Sequence, residues 1–183
     1  MLEMSWSSSA ASNAKDWAKT CSMKHSPEDS RTISTSGCGE NLYTSNNKET
    51  WRDVIGKWEN EKQNFIFGER AYDSLPVEQY IQLVWAKSDS IGCYAAYCPD
   101  SAKKYFYVCQ YCRPGNGTIT RPYKAGLSCQ DCPDDCEDNL CTNPCSYIDE
   151  VPNCVELTRE WGCQRKETKH VCRASCQCQD KIY

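Results

Sequence analysis

Phe106-Tyr107-Val108-Cys109-Gln110-Tyr111-Cys112-Arg113-Pro114-Gly115-Asn116 is the stretch that says most about the fold of this chain. Its aromatic and β-branched residues are typical of a buried strand, which we expect to run from Lys104 to Tyr111. The turn-forming residues from Arg113 onward end that strand. A similar segment, Ile91 to Cys98, precedes it, and the short polar stretch between them predicts a hairpin or a close strand pair.

Three helices are predicted ahead of the strand pair, because apolar residues recur there every three or four positions. Thr50 is a plausible N-cap for the second helix, with Asp53 three residues on, and Pro76 lies near the start of the third. The apolar positions are, in order, Ala10, Ala14, Trp17, Ala18 and Cys21; Trp51, Val54, Ile55 and Trp58; and Val77, Tyr80, Ile81 and Val84. Helices packed against a sheet give an α+β fold class.

Cysteine content sets the class of protein. The chain has 16 cysteines among 183 residues, six between Cys21 and Cys112 and ten between Cys129 and Cys178. Such a density is typical of chains stapled by disulfides in an oxidising compartment. The second group lies in a segment too short to build an apolar core without covalent links, so we expect a separate small module there.

Charge and hydropathy exclude two classes of protein. A net charge of −4 argues against a nucleic-acid binder, since such domains are usually strongly basic. No apolar run is long enough to cross a bilayer. The residues from Met1 to Ser7 lack the charged start, apolar stretch and cleavage site of a secretory signal, so a composition typical of export is combined with a start that lacks an export signal.

Few residues could carry chemistry. His25 and His170 are the only histidines, and no serine has the context of a nucleophile elbow. Glu40 lies among glycines in Gly37-Cys38-Gly39-Glu40-Asn41-Leu42-Tyr43, where the backbone can be approached closely. Glu61 continues the apolar stripe of the second helix, so we expect its carboxylate to point toward the core or a cleft, where it needs a partner.

The chain resembles the cysteine-rich secretory proteins (CRISPs), a branch of the CAP superfamily. Two family signatures are present, Gly39-Glu40-Asn41-Leu42-Tyr43 and the segment from Phe106 to Asn116 quoted above. Cys129-x-x-Cys132-x-x-x-Cys136-x-x-x-x-Cys141-x-x-x-Cys145 matches the hinge that opens the family's cysteine-rich domain. The resemblance implies an α-β-α sandwich over residues 1–120, a two-disulfide hinge over 121–144 and a compact helical module over 145–183.

The resemblance also implies a disulfide pairing, which the sequence alone leaves open. The implied pairs are Cys21–Cys98, Cys38–Cys112, Cys93–Cys109, Cys129–Cys136, Cys132–Cys141, Cys145–Cys178, Cys154–Cys172 and Cys163–Cys176. Each closed loop contributes about 2–4 kcal/mol by restricting the unfolded chain. The C-terminal module should therefore depend on its disulfides more than on its core.

Family members gather two histidines and two glutamates in a central cleft. His25, Glu40 and Glu61 match three of these positions, whereas Gln79 stands where the family usually has the second histidine. One imidazole and a neutral amide form a much weaker ligand set for a divalent metal than two imidazoles. The expectation is a cleft of His25, Glu40, Glu61 and Gln79 with no cofactor, in which zinc binding at His25 is weakened or lost.

The start of the chain departs from the family pattern. Relatives carry a signal peptide and an amphipathic helix before the point that matches Met1, so we expect Met1 to be either an internal methionine of a longer precursor or the start of a truncated product. If that helix covers part of the sandwich, the shorter chain should expose apolar surface and be less stable.

The resemblance implies a secreted, non-enzymatic binding protein that regulates ion channels through its C-terminal module and takes part in sperm maturation or fertilisation. Its partner would be an ion channel or a cell-surface receptor, including one on sperm. The last residues, from Cys176 to Tyr183, resemble mammalian reproductive-tract members more than venom members, although a venom-type channel toxin is an alternative. Candidate channel-facing residues are Arg159, Trp161, Arg165, Lys166, Lys169 and Arg173.

Two further alternatives stay open. A metal-dependent hydrolase could use Glu40 or Glu61 as a base, but it would need an activated water and a metal anchor. Cys109-x2-Cys112-x16-Cys129-x2-Cys132 has the spacing of a zinc ribbon, which would make an intracellular module. Separately, Asn116-Gly117-Thr118 is a glycosylation sequon, usable if the chain enters the secretory route.

Overall fold

The computed structural model describes residues 1–69, 75–115 and 120–182. The chain divides into two compact units, Met4–Ala125 and a second unit made of Met1–Glu3 with Gly126–Tyr183. The C-terminal module and the predicted hinge from Gly126 onward thus share one unit, which also contains the first three residues of the chain, whereas residues 121–125 of the predicted hinge belong to the first unit.

A four-stranded sheet organises the first unit. Its strands are β1 (Ser5–Trp6), β2 (Cys38–Ser45), β3 (Ser90–Tyr97) and β4 (Tyr105–Cys112), in the spatial order β1-β3-β4-β2. The pair β3–β4 is the predicted hairpin, and β2 is also antiparallel to β4. β4 is buried on both faces from Phe106 to Cys112, which explains why its sequence is almost continuously apolar and aromatic.

Helix α1 (Ser8–Ala18) covers one face of the sheet. Ser7 caps it by accepting a hydrogen bond from the Ala10 N–H at 3.2 Å. Ala14 and Ala18 of α1 pack on Phe106 and Val108 of β4. Gly92 of β3 lies so close to the α1 backbone at Ala11 that any Cβ there would clash, so this position requires glycine.

Helices α2 (Trp51–Glu59) and α3 (Glu78–Leu83) belong to the other side of the sandwich. Thr50 and Asp53 form a complete capping box at the start of α2. Val54 and Trp58 of α2 pack against the odd-numbered residues of β4, namely Tyr107, Cys109 and Tyr111. The result is a mixed α+β sandwich with helices on both faces, as predicted.

Two features of the sequence reading need correction. Trp51 and Ile55 were expected on the same stripe as Val54 and Trp58, but they lie at its border, 37 % and 38 % exposed, and Trp51 reaches the sheet only through an edge-to-face contact with Tyr107 at 5.4 Å. Glu61 does not continue α2, since it lies in a separate 3-10 helix, Asn60–Asn64.

Strands β1 and β2 were not predicted from the sequence. β1 is only two residues long, and β2 is rich in glycine and polar residues.

The second unit contains little regular structure. A two-stranded ribbon, β5 (Cys136–Glu137) with β6 (Leu140–Cys141), is followed by three short helices, α4 (Cys154–Trp161), α5 (Lys166–Val171) and α6 (Arg173–Gln177). Its buried residues are mostly half-cystines, and Leu2 packs on two of them, Cys132 and Cys141. Disulfides thus take the place of an apolar core.

All 16 cysteines lie in disulfides, and the structure contains no free thiol. The pairs are those that the family resemblance implies. They are Cys21–Cys98, Cys38–Cys112, Cys93–Cys109, Cys129–Cys136, Cys132–Cys141, Cys145–Cys178, Cys154–Cys172 and Cys163–Cys176.

Candidate functional site

A cleft of about 430 Å³ opens at the outer edge of β2. The backbone of β2 from Cys38 to Asn41 forms one wall. His25 and Arg31 precede that strand, whereas Gln79 and Gln82 come from α3 and Gly115 follows β4. The cleft therefore contains three of the four residues that the sequence assigned to it, and Glu61 lies behind Gln79.

Glu40 and His25 form the first hydrogen-bonded pair. The Nδ1 of His25 lies 2.9 Å from Oε1 of Glu40, whose side chain is fully buried while that of His25 is 59 % exposed. Ser26 donates to the same carboxylate twice, from its N–H at 2.9 Å and from its hydroxyl at 2.7 Å. Gln110 donates to Oε2 at 3.4 Å.

These contacts settle the charge of Glu40. Burial by itself would raise the pKa of this carboxyl group. The hydrogen bonds from His25 and Ser26, together with the positive charge of Arg31, outweigh burial and hold the pKa below its usual value. Glu40 is therefore an ionised, fully bonded anchor, and it is poorly suited to accept a proton as a general base.

Gln79 and Glu61 form the second pair. The main-chain N–H of Gln79 donates to Oε2 of Glu61 at 2.9 Å, and its side-chain Nε2 donates to Oε1 at 3.3 Å. The Tyr80 N–H donates to the same carboxylate at 3.1 Å. At its other end, Oε1 of Gln79 accepts from the Leu42 N–H at 3.1 Å. Both ends of the Gln79 amide are thus in use.

The first pair lies on the face of β2 that carries the Glu40 side chain, whereas the second pair meets the strand at its edge, where the Leu42 N–H donates to Gln79. Side chains of neighbouring residues in a strand point to opposite faces, so Glu40 and Asn41 are directed to different sides. His25 bonds to Glu40, while Asn41 donates from Nδ2 to the Gln79 carbonyl at 3.0 Å. The sequence placed all four residues in one cleft, and the structure shows two separate hydrogen-bonded pairs that flank one strand.

Gln82 holds the cleft floor in place, a role that the sequence analysis did not assign. Its Oε1 accepts from the Gly115 N–H at 2.8 Å, and its Nε2 donates to the Ser88 hydroxyl at 3.3 Å. A Cβ at Gly39 would collide with the same amide, so a side chain there would displace Gln82 from its bonds to Gly115 and Ser88. The only sequence signal was a polar residue beside the apolar positions of α3.

The described cleft residues do not suit a zinc ion. Structural zinc takes four ligands from the protein and catalytic zinc takes three. Here His25 offers a single ring nitrogen beyond the one that faces Glu40, and the Gln79 amide is occupied at both ends. The sulfurs of Cys129, Cys132 and Cys141 lie close together, but all three are in disulfides, as are the four cysteines of the zinc-ribbon spacing.

The cleft also lacks the arrangement of an activated nucleophile. Ser26 is the hydroxyl nearest the imidazole in sequence, yet it donates to Glu40. His25 binds the same carboxylate, so serine and histidine share an acceptor and are not arranged as a relay. This geometry favours a structural role for the three residues.

The second candidate surface lies on the C-terminal unit. Arg159, Trp161, Arg165, Lys166, Lys169 and Arg173 are all exposed. The Arg165 guanidinium lies over the Trp161 ring, 4.7 Å from its centroid, and also contacts the Glu167 carboxylate at 3.3 Å. Arg173 lies over Tyr147 at 5.0 Å. The structure therefore pairs Trp161 with Arg165, while no side-chain hydrogen bond, ion pair or cation–π contact joins the other four candidates to this pair among the described residues.

One predicted site falls outside this description. The sequon residue Asn116 lies outside the described residues. Within those residues, the helices are too short or too polar for any of them to span a bilayer.

Comparison with known proteins gives two family matches. The family model described as "Cysteine-rich secretory protein family" matches residues 1–111, and the model described as "Crisp" matches residues 129–183. Together they span both units of the structure.

Solved structures show the same architecture. NaASP2, solved with Zn²⁺, is 27 % identical with a TM-score of 0.64, over 78 % of this chain and 77 % of that one. Venom allergen-like protein 4 of Schistosoma mansoni is 26 % identical with a TM-score of 0.58, over 69 % of this chain and 76 % of that one. A hookworm platelet inhibitor, at 21 % identity and a TM-score of 0.53 over 73 % and 67 % of the two chains, shows the shared fold alone.

Proposed function

This chain belongs to the cysteine-rich secretory protein family, a family of secreted proteins, and from that membership we propose that it is a non-enzymatic binding protein. Its C-terminal unit regulates an ion channel by docking on the channel's extracellular face. The paired Trp161 and Arg165 side chains are the observation that carries this proposal.

The chemistry of that pair suits recognition of a protein surface. Tryptophan and arginine dominate the residues whose truncation costs most binding energy in protein interfaces. Trp161 is 47 % exposed, so its ring is available to a partner, and Arg165 stacks on it as a cation. Helix α5 contributes two further exposed cations, Lys166 and Lys169. The surface complements an acidic partner such as the mouth of a cation channel.

Rigidity supports the same proposal. Three disulfides, Cys145–Cys178, Cys154–Cys172 and Cys163–Cys176, link the helices that carry the surface. A surface held in its bound shape loses less conformational entropy on docking. Because less entropy is lost on docking, contacts from a few side chains of this small unit are enough to bind a partner protein.

A reproductive role follows from the resemblance of the C-terminal sequence to mammalian reproductive-tract members. We place the partner on the sperm surface, either as a channel or as a receptor. The cleft supports a function without catalysis or bound zinc, because its carboxylates are hydrogen-bonded and its donor set is poor.

Whole-cell current recordings with the full chain test the proposal. We expect the chain to reduce currents from at least one class of cation channel, and Trp161→Ala to weaken that effect about tenfold or more. Leu127→Ala is the matched control, since Leu127 is an apolar residue of the same unit that is 83 % exposed. No current change across potassium, calcium and sperm cation channels, or equal potency of Trp161→Ala and the original chain, would contradict the proposal.

A further inference from the structure

Two points on the outer edge of β2 are occupied by groups from the same unit. The Cys38 N–H donates to the Arg31 carbonyl at 2.7 Å. Four residues on, the Leu42 N–H donates to Gln79, and the Leu42 carbonyl accepts from the Trp58 indole at 2.9 Å. At these two points the edge of β2 cannot pair with a strand of another chain, and soluble proteins commonly protect exposed edges in such ways.

Glu40 lies between these two points, and its main chain is open. In an antiparallel pair, residues alternate between bonding to the neighbouring strand and pointing their N–H and C=O away from it. Cys38 faces Cys112 in a close pair with a Cα–Cα distance of 4.1 Å, the spacing of residues that do not bond to each other. By alternation, the N–H and C=O of Glu40 also point outward.

The surroundings of Glu40 agree with this assignment. The residue as a whole is 7 % exposed while its side chain is fully buried, so its exposed atoms belong to the main chain. Within the described residues, neither the N–H nor the C=O of Glu40 has a hydrogen-bond partner. Glu40 lines the cleft, and since its side chain is buried it does so through its main chain.

We propose that this gap binds an extended peptide segment of a partner protein, which adds to the sheet as a short strand. One residue of the segment would exchange two main-chain hydrogen bonds with Glu40, its N–H to the Glu40 carbonyl and its C=O to the Glu40 N–H. Cys38 and Leu42 are four residues apart, which leaves about 13 Å of edge and accommodates about three residues. The cleft volume of about 430 Å³ is that of an ordinary ligand site.

The charges of the cleft identify the kind of segment. Glu28 and Glu78 line the opening, and the Glu28 side chain is almost wholly exposed. Arg31 interacts with acidic groups of the cleft itself. Its guanidinium lies 3.9 Å from the Glu28 carboxylate, and its charge helps to lower the pKa of Glu40. Glu78 remains as a carboxylate without a cationic partner among the described residues. The bound segment therefore carries a basic side chain near its centre.

Amide-resolved NMR with acetyl-valyl-lysyl-valinamide as the probe tests this site. In the free protein the Glu40 amide should exchange with solvent faster than the Leu42 amide, which Gln79 protects. Adding the probe should shift the Glu40 resonance and slow its exchange. A second probe carries a methyl group on the main-chain nitrogen of its lysyl residue. That nitrogen cannot donate a hydrogen bond to the Glu40 carbonyl, so we expect this probe to bind about tenfold more weakly.

Two variants separate the site from non-specific binding. Gly37→Phe should abolish the shift at Glu40, because Gly37 lines the cleft, a Cβ added there meets no atom within 4 Å, and its φ lies outside the left-handed region. Gly56→Phe, equally unobstructed but on α2, is the matched control and should bind as the original chain does. Replacing the lysyl residue by norleucyl should weaken binding to the original chain and change little in Glu78→Gln.

Other outcomes would overturn the proposal. Slow exchange of the Glu40 amide in the free protein would show that its N–H already has a partner. Equal affinity for the methylated probe, or binding unchanged by Gly37→Phe, would show that main-chain pairing at this edge is not how the peptide is held. No resonance shift at millimolar probe would refute the site outright.

Discussion

Gln79 donates two hydrogen bonds to Glu61, one from its main-chain N–H and one from its side-chain amide. The amide also accepts from the Leu42 N–H, so a single side chain joins the 3-10 helix Asn60–Asn64, α3 and the edge of β2. An amide makes these bonds without gaining or losing a proton or binding a metal. Gln79 therefore holds the Leu42 N–H at the edge of β2 through a side chain that neither titrates nor binds zinc.

We predict that the chain does not bind zinc at micromolar concentration and that Gln79→His gains measurable affinity. The substitution supplies a second imidazole to the cleft that already contains His25. Isothermal titration with zinc chloride measures both proteins. The double variant His25→Ala/Gln79→His should lose the gained affinity, and micromolar uptake by the original chain that depends on His25 would refute the prediction.

Gln79→Ala should lower the free energy of unfolding by about 1–3 kcal/mol, because it leaves the Leu42 N–H and part of the Glu61 carboxylate without partners. Denaturant unfolding measures this loss, and exchange of the Leu42 amide should become faster. Gln63→Ala is the control, since Gln63 is exposed in the same unit. A loss of similar size in both variants would argue against a specific role for Gln79.

Stability should fall in acid because of Glu40. Its folded pKa lies below the ordinary value of 4.5, so the ionised carboxylate stabilises the fold fully above about pH 4.5. That contribution is lost as pH falls from 4.5 through the lower folded pKa, where the carboxylate must take up a proton. Thermal melting between pH 2.5 and 7 measures the slope.

Glu40→Gln should flatten that slope and lower stability at neutral pH by about 1–3 kcal/mol, since the amide cannot accept all the bonds that His25 and Ser26 donate. Glu28→Gln is the matched control, as the Glu28 side chain is 96 % exposed. An unchanged acid slope in Glu40→Gln would mean that other carboxylates set it.

Iodoacetamide should label no cysteine in the folded, unreduced protein and all 16 after reduction and unfolding, because every sulfur is in a disulfide. Intact-mass spectrometry counts the labels. Labelling of most cysteines without reduction would contradict the disulfide assignment and reopen a metal-bound interpretation.

The sequence predicts those parts of the fold that depend on local pattern. The alanine spacing of α1, the capping pair Thr50 and Asp53, and the apolar run of β4 each determine the structure around them. β2 carries no comparable signal, because as an edge strand it is built from glycine and polar residues. Its partners are distant in sequence, as Gln110 is from Glu40.

The candidate site was predicted by residue type and less well by geometry. His25, Glu40 and Gln79 do line one cleft, but sequence order cannot show that Glu40 and Asn41 face opposite ways around the edge of a strand. Gln82 and the open main chain of Glu40 could be recognised only in three dimensions, because their roles depend on contacts with Gly115 and on strand pairing.

Cys93–Cys109 and Cys38–Cys112 attach β3 and β2 to the central strand on its two opposite faces, since Cys109 and Cys112 are an odd number of residues apart. A protease that cuts the turn between Tyr97 and Tyr105 would leave both fragments covalently tethered. The two fragments would migrate as one band on a non-reducing gel, and β2, which forms the cleft wall, would stay attached to the sheet. In a fluid rich in proteases, the molecule could be damaged and still keep its shape.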